Sequence, residues 1–135
     1  MLGTSCYPDQ PNSSSTHMEP REGIKELIGE ELNVVSFVMD YVEFHFNGPV
    51  LRALTKPTVG IRGARATFPE PGSRDRLCEL IGKQVAAVSA VDDVAINISF
   101  TGGASLRIPL DHASRVGPEA AHYQSEAFNS PLTVW

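Results

Sequence analysis

The sequence predicts a β-dominated α+β fold. Its form is a duplicated helix–three-strand unit in a curved, antiparallel, barrel-like sheet with two short helices. Three observations predict it. Residues 26–40 (ELIGEELNVVSFVMD) and 79–93 (ELIGKQVAAVSAVDD) align without a gap and are identical at 8 of 15 positions, and a repeat constrains architecture before any single motif does. Each copy is followed by segments whose apolar residues recur with period two, the mark of half-buried strands. Those segments are joined by Asn-Gly or Gly-Gly, the chemistry of tight hairpins.

At 135 residues the chain is one domain on length. Residues 1–19 are rich in Ser, Pro, Asn and Gln, with little to bury. They read as a disordered tail, and deleting residues 1–17 is expected to leave stability unchanged. The tail has neither the basic nor the apolar region of a signal peptide. The single globular domain is then 20–135, with the internal repeat at 24–54 and 77–110.

Ile24, Leu27 and Ile28 stand at helical spacing, and Gly29 closes that helix. In the second copy Ser73 is the expected N-cap. Leu77, Cys78, Leu80 and Ile81 form the expected apolar face, and Gly82 the stop. The Leu and Ile of each ELIG block are expected to face the core. Strands follow at about 32–38, 41–46 and 50–54, then at about 84–91, 94–100 and 104–110.

The hairpins fix their own register. A two-residue turn at Asn47-Gly48 sets Phe44 opposite Leu51 and Glu43 opposite Arg52. A three-residue loop at Thr101-Gly102-Gly103 sets Ile98 against Leu106, Ile96 against Ile108, Val94 against Leu110 and Asn97 against Arg107. A shorter turn there would bury the polar face. The expected core is Val42, Phe44, Phe46, Leu51, Val94, Ile96, Ile98, Leu106 and Ile108. Residues 58–68 read as one irregular strand with glycine bulges. PEAAHYQ (118–124) and LTVW (132–135) read as a closing hairpin that packs Trp135.

The chemistry-bearing residues form no recognisable constellation. His17, His45, His112 and His122 lack metal-ligand spacing. Asp40 and Asp93 sit at tight turns, where Asp bonds its own backbone. Asp111, His112 and Ser114 read as a polar turn. There is no GxSxG, phosphate loop or GxGxxG. No catalytic residue, metal or cofactor is expected; an enzyme is kept as a third reading for which the sequence offers no constellation, and the chain leans to a non-enzyme. Cys6 and Cys78 fall in unlike environments and are not expected to pair, which points to the cytoplasm. No run approaches the roughly 18 apolar residues of a membrane span, so no membrane partner is expected.

Two surfaces carry functional expectations. The outward face of the first hairpin holds Tyr41, Glu43, His45, Val50, Arg52 and Leu54, whereas the second holds the smaller Ala95, Asn97, Ser99, Ser105 and Arg107. Aromatics and Arg are enriched at interfaces. The leading expectation is therefore a protein-binding or self-associating module that docks through Tyr41, Glu43, His45, Arg52 and Leu54, with a protein partner or a second copy. The alternative is anion or nucleic-acid binding by Lys56, Arg62, Arg65, Arg74 and Arg76. Six basic residues stand against two acidic ones between 52 and 76, in a chain of net charge −5. That overall charge makes nucleic acid the weaker partner. Against the docking face stands its coverage by the chain's own 55–72 segment or the C-terminal hairpin; against the basic segment stands internal neutralisation of Arg52 by Glu43 and of Arg74 and Arg76 by Asp75 and Glu79.

The repeated stretches LIGEELNVVSFVMD…FHFNG…LRA and LIGKQVAAVSAVDD…ISFTGG…LRI, with a closing EAAHYQ…PLTVW, resemble small uncharacterised bacterial domains with a duplicated β unit and a C-terminal Trp. The resemblance spans about 22–135. It implies the duplicated β fold and, by association, an accessory or immunity-like role. Its motifs are structural and bring no active site with them.

Overall fold

The computed structural model describes residues 20–126 and 130–135, so the expected tail, with Cys6 and His17, lies outside the described residues. The chain opens with a 3-10 helix, Pro20–Leu27. Three strands follow, β1 (Val34–Val38), β2 (Tyr41–His45) and β3 (Val50–Ala53), then β4 (Thr58–Ile61) and β5 (Ala64–Thr67). After helix α1 (Ser73–Cys78) come β6 (Val85–Val91), β7 (Ala95–Phe100) and β8 (Ser105–Pro109), then β9 (Ala121–Gln124) and β10 (Thr133–Val134).

The strands form two antiparallel five-stranded sheets, not one barrel-like sheet. Their orders are β10-β9-β3-β2-β1 and β5-β4-β8-β7-β6. The physical reason is the crossing of the chain. After meander β1–β3 it leaves for the second sheet, where hairpin β4–β5 adds beside β8. After meander β6–β8 it returns, and hairpin β9–β10 adds beside β3. Each meander is thus widened by the hairpin that follows the other one, and neither sheet closes on itself.

Both hairpin registers agree with the expectation. Phe44 pairs with Leu51 and Glu43 with Arg52. Ile98 pairs with Leu106, Ile96 with Ile108 and Asn97 with Arg107. Val94 departs from it. The β6–β7 turn takes three residues with Asp93 at φ 63, so the strand begins one residue late and Val94 is 47% exposed. Its carbonyl still accepts the Leu110 N–H at 3.0 Å. The other eight expected core residues are buried. The 58–68 segment is a hairpin, not one irregular strand. Arg62 and Gly63 turn it with φ of 51 and 79, the double positive φ of a type I′ turn.

The ELIG blocks turn the chain by one device. Gly29 and Gly82 both have φ 90, a conformation that costs glycine little because it has no Cβ. Leu27 and Leu80 are fully buried, but Ile28 and Ile81 are 50% and 44% exposed, which corrects the expectation that both residues face inward. Helical periodicity ends before the Ile in each block, so adjacent Leu and Ile point apart. Cys78, the last residue of α1 and next to buried Leu77, is an exposed free thiol, which corrects its place on the expected apolar face. Ser73 is not the N-cap. Gly72 holds that position, and the Ser73 hydroxyl is buried with no partner among the described residues.

The segments after the two glycines hold each other across the sheets. Gly29 N–H donates to Val85 O and Gly82 N–H to Leu32 O, both at 2.8 Å. Leu32 N–H donates to Lys83 O at 3.0 Å and Val85 N–H to Glu30 O at 2.9 Å, around the bridge Glu31–Gln84. Beneath them both sheets and both helices feed one core, with Leu27, Phe44, Leu77, Ile96 and Leu106 all within 1% of full burial. Tyr123 on β9 is buried and donates its hydroxyl to Glu26 of the first helix. Burial first, then the Glu26 carboxylate, pushes the phenol well above its ordinary pKa.

Candidate functional site

Alternation along β2 puts Val42 and Phe44 into the core and turns Tyr41, Glu43 and His45 outward. On β3, Val50 and Arg52 turn outward, with Leu54 just beyond the strand. The register that sets Glu43 beside Arg52 also sets Arg52 beside His122 of β9. Three strands therefore contribute one row of side chains on the outer face of the first sheet. Val34 and Val38 of β1 flank the row, opposite His45 and Tyr41.

The row is hydrogen-bonded end to end. Arg52 Nε donates to Glu43 Oε2 at 2.7 Å. Glu43 Oε1 lies 3.0 Å from His45 Nε2. Arg52 Nη1 donates to His122 Nδ1 at 3.3 Å, and His122 Nε2 meets Glu119 Oε1 at 2.6 Å. Arg52 has no acceptor, so Nδ1 accepts in this contact and a proton on Nε2 faces Glu119. The Glu43 side chain is only 16% exposed. The hydrogen bond from Arg52 holds its carboxyl below the usual range; burial pushes the other way, and His45 adds to the lowering.

All five residues expected to dock a partner lie on this face, each partly exposed. Tyr41 and Leu54 also border a cleft of about 210 Å³ with Asp40, Val116, Pro118 and Glu119. The sequence reading missed His122 and Glu119. The alternation in AHYQ, with Tyr123 inward and His122 outward, was visible, but nothing in it says that β9 pairs with β3.

The basic segment is neutralised in part. Arg62 and Arg76 both reach Glu79, at 2.9 and 3.4 Å, and lower its carboxyl pKa, Arg62 foremost. Arg74 instead lies over the rings of Phe68 and Phe37, 5.0 and 5.7 Å from their centroids. Arg65 is exposed on β5 opposite Gly60. Lys56 is exposed near Arg74, and both line a second cleft.

The remaining polar motifs are structural. Ser114 Oγ donates to Asp111 Oδ1 at 2.8 Å within a single turn, and Asp93 meets Arg115 at 3.7 Å. Among the described residues no group of three or more His, Cys, Asp or Glu is placed to hold a metal, and no helix is long and apolar enough to cross a membrane. A scan against protein-family models finds no match to this chain, and searches of the curated proteins and of the solved structures find none either.

Proposed function

We propose that this protein is a non-catalytic binding module that docks a protein surface through the outer face of its first sheet. One observation carries the reading: the row holds both charge signs, with Glu43 on one side of Arg52 and Glu119 on the other, linked through the His122 ring. His45, Glu43, Arg52, His122 and Glu119 follow one another across three strands, rimmed by Tyr41, Leu54, Val34 and Val38. A two-fold interface needs a patch complementary to itself, and a row that carries both signs meets its opposite when a second copy is turned on it. The favoured occupant is therefore another copy of this chain, and a cytoplasmic setting suits the exposed Cys78 thiol.

The duplicated architecture belongs to the same proposal. Reciprocal bonding of Gly29 with Val85 and Gly82 with Leu32, and the exchange of hairpins β4–β5 and β9–β10, support two copies of one unit about an approximate two-fold. In that relation the two meanders keep the same core, while only the first keeps large outward side chains.

Sedimentation velocity across a concentration series tests the docking face. Tyr41→Ala with Leu54→Ala should abolish association with little change in melting temperature, since both side chains are already partly exposed. A wild type that stays monomeric throughout the series, or association that survives both substitutions, would overturn the reading.

A further inference from the structure

The second cleft, of about 240 Å³, lies where the chain passes from the first sheet to the second. Leu54, Phe68, Pro69 and Val116 make its apolar wall, and Lys56 and Arg74 bring two cations to it against the single carboxylate of Asp40. Phe68 is 2% exposed and stacks on Phe37 at 5.9 Å, so the wall is fixed.

The two cations at this cleft are not neutralised as several others are. Arg52, Arg62, Arg76 and Arg115 each reach a carboxylate. Among the described residues neither Lys56 nor Arg74 does. The Arg74 guanidinium lies over the rings of Phe68 and Phe37, an attraction that uses none of its N–H donors and leaves them to a ligand. Within a chain of net charge −5, one cleft is thus lined by two cations that meet no carboxylate among the described residues and by an apolar wall.

We propose that this cleft binds a small organic carboxylate with an aromatic or branched apolar body. The carboxylate meets Lys56 and Arg74, and the body lies on Leu54, Phe68 and Val116. An inorganic anion would leave that wall wet, and an uncharged hydrocarbon would leave the cations without a partner. The volume falls below the roughly 300–1,000 Å³ of sites for drug-sized ligands, which limits the ligand to a small metabolite. Asp40 at the rim opposes an anion, so its charge tunes affinity downward. The site shares Leu54 with the docking face but does not rest on that reading: Lys56→Gln tests the cleft away from the row, and either proposal can fail without the other.

The test is an amide-resolved NMR titration with 3-phenylpropionate, with the uncharged 3-phenylpropanamide as control. Saturable shifts at Leu54, Thr55, Phe68 and Val116 are expected for the acid, with the amide bound at least about tenfold more weakly. Lys56→Gln should weaken the acid several-fold, Lys56→Gln with Arg74→Gln about tenfold or more, and Asp40→Asn should tighten it. Arg74→Gln removes the cation over the stacked rings, so Lys56→Gln, at an exposed side chain, serves as the independent test. No saturable shift at these amides, equal binding of acid and amide, or acid binding indifferent to Lys56→Gln would overturn the proposal.

Discussion

Phe44→Ala removes the ring that sits between Val35 and Leu51 in the first sheet. The side chain is fully buried. Transfer of such a group from water is worth about 1.5–3 kcal/mol. A cavity adds to this because the neighbours close only in part, and measured Phe→Ala losses in cores run about 3–5 kcal/mol. Phe44 pairs with neighbours on both sides within a five-stranded sheet, so collapse is resisted and the upper half of that range is expected. Against a total of about 5–15 kcal/mol for a domain, the variant should still fold but melt about 10–20 °C lower. Trp135 is the only tryptophan and is 7% exposed, so its fluorescence reports unfolding in urea. The midpoint should fall at an unchanged denaturant slope, and Phe44→Leu should recover most of the loss. A loss below about 1 kcal/mol would mean that the ring does not fill the shared core and that the face assignment of the hairpin is wrong.

Other consequences are as direct. Ser73→Ala should leave stability unchanged or slightly raised, because the hydroxyl is buried without a partner; urea unfolding that shows the ~1 kcal/mol loss of an N-cap would contradict the structure. Tyr123→Phe should cost about 1.5–3 kcal/mol by removing a hydrogen bond to the Glu26 carboxylate, again read in urea. Glu43 has its carboxyl lowered in the folded state, so its contribution is present above the unfolded Glu value of about 4.3 and lost as pH falls through the lower folded value. Arg52→Ala should therefore flatten the acid limb of stability against pH, and a limb of unchanged slope would show that the pair is not coupled to folding.

The hairpin registers were legible because side chains alternate with period two. A slip of one residue would have turned Phe44, Ile96 and Ile98 to solvent, so only one register suited each loop. The exchange of hairpins was not legible, since β4 and β9 carry ordinary alternation and strand edges are alike in their backbone groups. That is why the chain read as one sheet and why His122 was not joined to Arg52. Ile28 and Ile81 misled for a local reason. Apolar spacing continued through each ELIG block while the regular helix had already ended, so Ile28 and Ile81 turn to solvent beside buried Leu27 and Leu80. The stacking of Arg74 on Phe68 brings together a helix and a strand end, a proximity no spacing rule reports.

Hydrogen exchange, compared between dilute and concentrated protein, tests the docking face of the first sheet most directly. Slower exchange at high concentration should be confined to β2, β3 and β9, around Glu43, Arg52 and His122, and Tyr41→Ala with Leu54→Ala should abolish it. Exchange that is independent of concentration, or protection that appears instead along the outer edge of β6, would contradict the assignment of that face.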